Sequence, residues 1–376
     1  MNRILIAPDK FKGSLPASLV ARHLARGLRR ADPSRETAEL PVADGGDGTV
    51  DAAVAAGFDR VEHIVTGPLG EPVTAAVAVQ GRTAVVEMAQ ASGLALSPEP
   101  LRPLRATSRG TGELLKRVRD AGCTEIILGV GGSACTDGGA GMVQALGVRL
   151  LDSEGAEIGD GGGELGRVAT VEAASVVEEW ANVSVTLASD VVNPLLGPEG
   201  AAAVFGPQKG ADDGQVRELE AGLAHYADLV RTQCGIDRAA QRGAGAAGGV
   251  GYAAQAFLGA RAVSGIDLLL DLIGFASRLS GTSLVVTGEG KLDAQTLHGK
   301  APMGVARAAR AYGVPVIAVC GVSEIDPDDA EKAGIDAVFA LSDLEPDPDK
   351  SMAEAAGLLE RLGERIAVHL SEQENR

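Results

Sequence analysis

Short apolar runs alternate along the chain with helical patterns, an arrangement typical of βαβ units and parallel sheet. Residues 4–7 form the first apolar run. We expect a helix after it, capped by Ser14 and pre-organised by Pro16. Its apolar positions recur every four residues, at Val20, Leu24 and Leu28. Further buried strands are expected over residues 37–42, 124–130, 183–188, 284–287, 314–320 and 337–341.

The pattern changes style over residues 64–87, where two alternating runs meet at Gln80 and Gly81. Such a pair predicts a β-hairpin rather than a βαβ unit. The plainest parallel-sheet pattern resumes after residue 282. We therefore predict an α/β protein of two α/β domains. Residues 1–65 and 282–376 would form a doubly wound, Rossmann- or flavodoxin-like domain, and residues 66–281 an inserted mixed α/β domain.

Composition fits a globular enzyme and excludes several partners. The chain has 376 residues, 45% of them hydrophobic and 23% charged, and its formal net charge is −17. An acidic surface repels nucleic acid and anionic membranes, so we expect neither as a partner. The cysteines (Cys123, Cys135, Cys234, Cys320) are scattered without a CxxC pair, and the first residues do not resemble a secretory signal. Both features favour a cytoplasmic protein. Nothing in the composition excludes a homo-oligomer.

Glycine-rich segments follow several predicted strands. They are APDKFKGS (7–14), ADGGDGT (43–49), GVGGSACTDGG (129–139) and TGEGKLD (287–293). Ligands of open α/β sheets bind at the carboxyl ends of strands, where such loops converge. Glycine amides cradle phosphate oxygens, lysine neutralises them and aspartate holds Mg²⁺. A single Gly-Asp pair is more simply a turn, but the repetition after strands indicates a phosphate site.

Lysine is rare in this chain, with eight copies among 34 basic residues. Lysines decorate the surface in most proteins. Here, however, several lie in or beside glycine-rich segments, and ammonium groups are common phosphate partners. These lysines are Lys10, Lys12, Lys209, Lys291 and Lys300.

Two segments could bind a small acid. SDVVNPLLG (189–197) offers Asp190 and Asn193 just after a predicted strand. ATSRGTGE (106–113) opens a predicted helix with Ser108 and Arg109, and a helix amino terminus attracts anions. Plain capping of the helix by Thr or Ser explains the second segment equally well.

Common catalytic motifs are absent. The sequence contains no GxxxxGK[ST], HExxH or GxSxG. A formal GxGxxG at residues 243–248 does not follow a predicted strand, so a dinucleotide fingerprint is improbable. Among the isolated histidines, His298 in QTLHGK is the candidate phosphate contact.

The ordered series of motifs resembles the type-1 glycerate kinases. Besides the four glycine-rich segments it includes GPLG (67–70), EMAQASGL (87–94), ATSRGTGEL, DVVNPLLG, FGPQKGA (205–211), GAGAAGG and TGEGKLDAQTLHGKAP (287–302). The resemblance implies ATP- and Mg²⁺-dependent phosphorylation of D-glycerate, usually giving 2-phosphoglycerate. It also implies two α/β domains with the active site between them. Asp47 stands where family members often carry Glu, which weakens any metal role for it.

These motifs suggest a hypothesis for the site, since phosphoryl transfer mainly requires positioning and charge neutralisation. The expected phosphate- and nucleotide-binding residues are Gly45, Gly46, Ser133, Gly288, Gly290 and Lys300. The expected catalytic residues are Asp190, Lys10 and Lys291, and the expected Mg²⁺ ligands are Asp44, Glu289 and Asp293. The expected substrate contacts are Asn193, Arg105, Arg109, Ser108 and Lys12.

Three alternatives stay open at this point. The 3-hydroxyl of glycerate could be the acceptor, giving 3-phosphoglycerate. GGDGT also resembles the nucleotide-binding turn of NAD kinases and phosphofructokinases, although those families lack the neighbouring motifs. A non-catalytic sensor of a small phosphorylated acid would bind its ligand without consuming ATP.

Overall fold

The computed structural model describes residues 3–293, 296 and 300–374. The strands are β1 Arg3–Pro8, β2 Glu36–Glu39, β3 Asp59–Thr66, β4 Pro72–Gln80, β5 Thr83–Glu87, β6 Glu125–Gly129, β7 Arg149–Leu151, β8 Thr170–Glu172, β9 Ser184–Ala188, β10 Arg261–Val263, β11 Thr282–Leu292, β12 Val316–Ser323 and β13 Ala337–Ala340. The α-helices are α1 Ala17–Ala31, α2 Thr49–Ala55, α3 Ala89–Ser92, α4 Arg109–Asp120, α5 Ala140–Leu146, α6 Ala174–Trp180, α7 Ala201–Phe205, α8 Asp213–Cys234, α9 Val250–Phe257, α10 Gly265–Leu272, α11 Phe275–Arg278, α12 Ala301–Arg310, α13 Pro327–Lys332, α14 Pro348–Ala353 and α15 Ala355–Glu374. Short 3₁₀ turns cover Leu94–Leu96, Gly162–Arg167, Pro207–Lys209, Ala246–Gly249 and Leu341–Asp343.

The chain divides into two compact units. The first comprises Met1–Asp44, Asp51–Ala56 and Ile266–Arg376, and the second comprises Gly45–Val50 and Gly57–Gly265. These limits differ from the sequence-based boundaries at residues 65 and 282. β3 pairs within the sheet of the second unit, and apolar residues of α10 and α11 such as Ile266 and Phe275 belong to a core of the first unit.

The first unit contains a five-stranded sheet in the order β13-β12-β11-β1-β2, with every neighbouring pair parallel. Numbered consecutively within the unit, this order is 2-1-3-4-5, the flavodoxin-like doubly wound order. Separate apolar cores cover the two faces. Along β11, for example, Val285 belongs to one core and Leu284 and Val286 to the other. The α/β fold class predicted from the sequence is confirmed.

Helix α1 begins differently from the sequence prediction. Its N-cap residue is Pro16, and the Ser14 hydroxyl instead donates a hydrogen bond to the Met352 carbonyl at 2.9 Å. Ser14 is therefore not the helix cap. α1 packs closely on α15, because a Cβ at Gly27 would lie 1.9 Å from the Glu360 carbonyl oxygen.

The second unit contains a six-stranded mixed sheet in the order β10-β9-β6-β5-β4-β3. β3, β4 and β5 are antiparallel neighbours, while β5, β6, β9 and β10 run parallel. The hairpin predicted at Gln80 and Gly81 is confirmed, and Gly81 adopts a φ of 61° in its turn. β7 and β8 form a separate antiparallel pair. Over the described residues, no helix is long and apolar enough to cross a membrane.

Candidate active site

Acidic side chains gather in the first unit where its strand order reverses. β1 and β11 are neighbours there, and Pro8, the last residue of β1, lies opposite Gly288 of β11. Asp9 follows β1 directly, and its amide donates a 2.8 Å hydrogen bond to the Gly288 carbonyl. Glu289 is the next residue of β11. Ligands of this fold bind at such a reversal point, so the position fits a ligand site.

Asp9 is the buried member of this acidic group, with 6% of its surface exposed. Burial raises the pKa of its carboxyl group to about 7; the Lys10 ammonium, 3.8 Å away, opposes the shift, and Asp44 and Glu289 add to it. Asp9 is not among the site residues expected from the sequence, although it lies within APDKFKGS. The feature that could have identified it is a carboxylate immediately after a strand whose last five residues are buried.

Glu289 is held by polar neighbours. The Thr296 hydroxyl donates to its Oε1 at 2.6 Å, and the Lys300 ammonium lies 3.6 Å from its Oε2. Lys300 also lies 3.9 Å from Asp293, whose backbone amide contacts the same threonine hydroxyl. Burial raises the pKa of Glu289, with Asp44 and Asp293 adding to the shift. The structure thus brings together the three predicted metal ligands and Lys300.

Backbone packs closely against Gly288 and Gly290. A Cβ at Gly288 would lie 2.0 Å from the Val319 carbonyl oxygen, and a Cβ at Gly290 would lie 3.2 Å from the Lys12 amide nitrogen. The second contact places the backbone of Lys12 against β11, while its side chain is exposed. Position 288 therefore requires glycine for the close approach of β12, and position 290 has little room for a side chain.

Lys291 forms its ion pair with a residue outside this group. Its side chain is half-exposed and forms a 2.8 Å ion pair with Glu324, and that hydrogen bond raises its pKa. Lys10 and Lys300, by contrast, place their ammonium groups beside the acidic residues.

Within the part of the chain that the structure describes, the acidic group does not form a three-ligand metal site by itself. Over the described residues, no group of three or more His, Cys, Asp or Glu side chains is placed to hold a metal ion. Mg²⁺ usually takes only one or two carboxylates, with waters and substrate phosphates completing its shell. Asp44, Glu289 and Asp293 offer oxygen ligands. Asp44 and Asp293 help to raise the pKa of Glu289, and such repulsion between carboxylates favours a cation beside them. The residues fit Mg²⁺ bound together with phosphate.

Two glycine loops stack in the second unit. The Gly131 amide donates to the Gly45 carbonyl at 3.1 Å, and a Cβ at Gly131 would lie 2.5 Å from the Gly46 Cα. Gly45 itself has a φ of 90° and faces the Ala188 carbonyl at the end of β9. Ser133, with 9% of its surface exposed, follows the stacked loop and pairs through its backbone with Gly93.

The buried carboxylate of Glu87 fixes the glycine turn that contains Gly45 and Gly46. It accepts hydrogen bonds from the Gly48 and Val50 amides at 3.2 and 2.9 Å. Burial raises the pKa of Glu87. Its place at the end of β5 thus joins the turn to the sheet.

Asp137 joins the loop 131–137 to the start of α4. Its carboxylate accepts hydrogen bonds from the Ser108 amide and hydroxyl and from the Gly139 and Gly141 amides. The Ser108 hydroxyl in turn accepts from the Met142 amide at 2.8 Å. Ser108 is fully buried, and its hydroxyl fastens α4 to α5. Sequence reasoning missed Asp137, because its partners lie far along the chain.

Lys209 is also buried, with 3% of its surface exposed. Its ammonium donates to the Cys135 carbonyl, and burial lowers its pKa while Asp137 opposes that shift. Burial raises the pKa of the Cys135 thiol well above its ordinary range, so this cysteine is an inert packing residue.

The predicted arginines differ in their surroundings. Arg109 forms a bidentate ion pair with Asp160, with nitrogen–oxygen distances of 2.9 to 3.0 Å. Arg105 is exposed. An exposed guanidinium is the more accessible of the two to a substrate carboxylate.

Asp190 and Asn193 follow β9 as expected. The exposed Asp190 carboxylate accepts from the Gly265 amide at 3.2 Å, just beyond β10. The Asn193 side chain donates to the Glu199 carbonyl at 2.8 Å. Its backbone carbonyl accepts from Gly245 at 2.9 Å, so the GAGAAGG segment packs beneath this loop.

Comparison with known proteins decides the family. The family model described as "Glycerate kinase family" matches residues 4–371. Glycerate kinase of Bacillus subtilis (strain 168) is 46% identical over 372 residues, covering 98% of this chain and 97% of that protein. Glycerate 2-kinase of Escherichia coli (strain K12) is 46% identical over 343 residues, covering 90% of each chain. A crystal structure from Salmonella typhimurium LT2, provisionally named glycerate kinase 2, matches with a TM-score of 0.84 and 41% identity over 100% of both chains.

The chain belongs to the glycerate kinase family. Membership confirms the resemblance found in the motifs and the predicted enzyme class, a phosphotransferase with an alcohol group as acceptor. A glycerate kinase uses glycerate and a phosphoryl donor, which makes ATP the expected cosubstrate. Of the residues predicted for this glycerate kinase, His298 lies outside the described part of the chain.

Proposed function

We propose that this enzyme transfers the γ-phosphoryl group of ATP to the 2-hydroxyl of D-glycerate in a Mg²⁺-dependent reaction, giving 2-phosphoglycerate and ADP. The observation that carries the proposal is the group of carboxylates and lysines where the strand order reverses: Asp9, Lys10, Asp44, Glu289, Asp293 and Lys300. The choice of the 2-hydroxyl is supported by the name of the Escherichia coli relative, glycerate 2-kinase.

In this proposal the acidic group of the first unit handles the polyphosphate. One or two of the carboxylates of Asp44, Glu289 and Asp293 would hold Mg²⁺, which when bound neutralises phosphate charge and orients the phosphates. Lys10 and Lys300 would neutralise phosphate charge, since the ammonium group of each lies within the acidic group. Asp9 would orient Lys10.

The second unit would contribute backbone donors and the substrate contacts. Amides of Gly45 and Gly46, together with Ser133, would cradle phosphate oxygens, because the stacked loops are fixed by Glu87. Asp190 would accept or orient the proton of the glycerate hydroxyl, as its carboxylate is exposed beside Asn193. The Asp190 and Asn193 roles agree with the hypothesis drawn from the sequence.

The remaining predicted residues receive roles that follow their surroundings. Arg105 would bind the substrate carboxylate, and Arg109, already paired with Asp160, would support it. Ser108 would act by fastening the helix, and Lys12 by its backbone contact with Gly290. Lys291 would stay at the rim, paired with Glu324.

The test is a coupled assay of ADP release with ATP, Mg²⁺ and D-glycerate, with phosphorus NMR of the product. The proposal expects turnover that requires all three components and yields 2-phosphoglycerate. A 3-phosphoglycerate product would overturn the acceptor position alone. Turnover with NAD or a sugar but not with glycerate, or glycerate binding without any ADP release, would overturn the proposed reaction.

A further inference from the structure

Strand β3 forms one edge of the six-stranded sheet in the second unit. It is eight residues long, and strands of about five or six residues are commoner. Two apolar side chains on it are exposed, Val61 by 38% and Ile64 by 70%. A long edge strand with exposed apolar residues is a ready template for pairing with another strand.

The phase of the β3–β4 ladder shows which backbone groups face outward. Thr66 stands opposite Pro72, which has no N–H, so this pair is not hydrogen-bonded. The next pair is bonded, because the Gly67 amide donates to the Glu71 carbonyl at 2.6 Å. Odd-numbered residues of β3 therefore bond to β4. The groups that point away from β4 belong to the even-numbered residues, Arg60, Glu62 and Ile64.

We propose that β3 pairs antiparallel with β3 of a second copy of this chain, about a two-fold axis at Val61. This register places Arg60 of each copy opposite Glu62 of the other, with each residue donating and accepting one outward backbone hydrogen bond. It also places Asp59 opposite His63. The six-stranded sheets of the two copies then form one continuous sheet. This pairing does not depend on the reaction that the enzyme catalyses.

Charge complementarity selects this register. In an antiparallel pair, directly opposed side chains lie on the same face of the sheet. With two-fold symmetry this is possible only if one residue of the strand lies opposite its own copy, at the axis. An axis at Glu62 would oppose two carboxylates, and an axis at Arg60 would oppose two guanidinium groups; like charges directly opposite are destabilising. An axis at His63 would place Glu62 against the apolar Ile64. Only the axis at Val61 matches opposite charges at both flanking positions.

The charged side chains of the pair lie at the surface. The Arg60 and Glu62 side chains are 40% and 60% exposed and lie 3.5 Å apart on the same face of the strand. Across the axis, each would face the opposite charge of the second copy. Two copies with a net charge of −17 each repel at long range, so local complementarity must provide the attraction.

The test is sedimentation velocity of the full-length chain over a wide concentration range, on the wild type and on Glu62→Arg, Arg60→Glu and the double exchange. We expect a wild-type species of twice the 38.1 kDa chain mass. Glu62→Arg should lose it, even though this change lowers the net repulsion. Arg60→Glu should also lose it, and the double exchange should regain it.

Arg149→Glu is the matched control, because Arg149 is an exposed arginine paired with Glu157 and Glu172 in the β7–β8 pair, and its reversal alters net charge by the same amount as Arg60→Glu. This control should keep the dimer. A monomeric wild type, a dimer unaffected by Glu62→Arg, or a double exchange that stays monomeric would each overturn the proposal. Circular dichroism of every variant distinguishes loss of pairing from loss of fold.

Discussion

The Asp137 carboxylate accepts hydrogen bonds from both the backbone amide and the hydroxyl of Ser108, each at 2.8 Å. Both residues are fully buried. The contact fastens the amino terminus of α4 to the glycine loop that precedes α5. The segment 106–113, which the sequence suggested as an anion site, therefore holds two helices together through Ser108. The exposed side chain next to it that could contact an anion is Arg105.

Replacing Asp137 by Asn should destabilise the protein. The amide offers one acceptor oxygen where the carboxylate serves four donors, and it removes the charge that faces the buried Lys209. We expect a loss of about 3 kcal/mol in the free energy of unfolding, measured by urea denaturation. Asp120→Asn, at an exposed ion pair with Lys116, is the control and should change little. Equal stability of the two variants would contradict the proposed joint.

Lys209→Met should weaken both stability and nucleotide binding. The change leaves the buried Cys135 carbonyl without its donor, which costs about 1–3 kcal/mol. The loop that carries Ser133 then loses an anchor, so the KM for ATP should rise more than the KM for glycerate. Steady-state kinetics check this split, with Lys332→Met at the surface as control. Unchanged kinetics in a destabilised Lys209→Met protein would confine Lys209 to stability.

Asp190→Asn should abolish most turnover while leaving the fold intact. The side chain is exposed, so its removal opens no cavity, and the amide can still accept from Gly265. General-base contributions are typically about 100-fold or more, and we expect a fall in kcat of at least that size. Thermal melting should match the wild type. Near-normal kcat would remove Asp190 from the mechanism, whereas Asp213→Asn at the start of α8 should be fully active.

The contact between α1 and α15 should depend on pH. Glu360 accepts from His23 at 2.9 Å and from Arg30 at 2.7 Å, and these bonds lower its pKa below the ordinary value of 4.5. A depressed carboxylate pKa stabilises the fold above the unfolded pKa, and this contribution disappears as pH falls through the folded pKa. Between pH 7 and strongly acidic pH, the wild type should therefore lose more stability than Glu360→Gln. The check is the melting temperature of both proteins as a function of pH. An equal fall in melting temperature for the two proteins would contradict the stabilising role of the Glu360 carboxylate.

The sheet of the first unit was predictable because parallel strands buried on both faces read as continuous apolar runs. The acidic group was predictable in part, since Asp44, Glu289 and Asp293 lie in glycine-rich segments that follow predicted strands. Gly45 and Gly288 were selected as ligand contacts, and the structure shows them to be needed as well for the close approach of neighbouring backbone.

Other features could not be read from local patterns. Ser14 looked like a helix cap, but its hydroxyl finds the Met352 carbonyl, 338 positions away. Lys291 and Lys300 are equally plausible in sequence, and their ion pairs separate them. Lys291 pairs with Glu324, whereas Lys300 lies beside Glu289 and Asp293. Asp137 lies among turn residues, and its partners belong to segments that the fold alone brings near. In each case, long-range contacts decide the role.

The most direct test of the reaction site is the Mg²⁺ dependence of turnover in Glu289→Gln, with Glu324→Gln as the exposed control. The amide preserves the shape of the side chain and the Thr296 contact but removes a charge beside Lys300. We predict a fall in kcat of about 100-fold or more and a higher Mg²⁺ requirement, with unchanged melting and an active control. Wild-type turnover at the wild-type Mg²⁺ requirement would contradict the placement of the reaction at this acidic group.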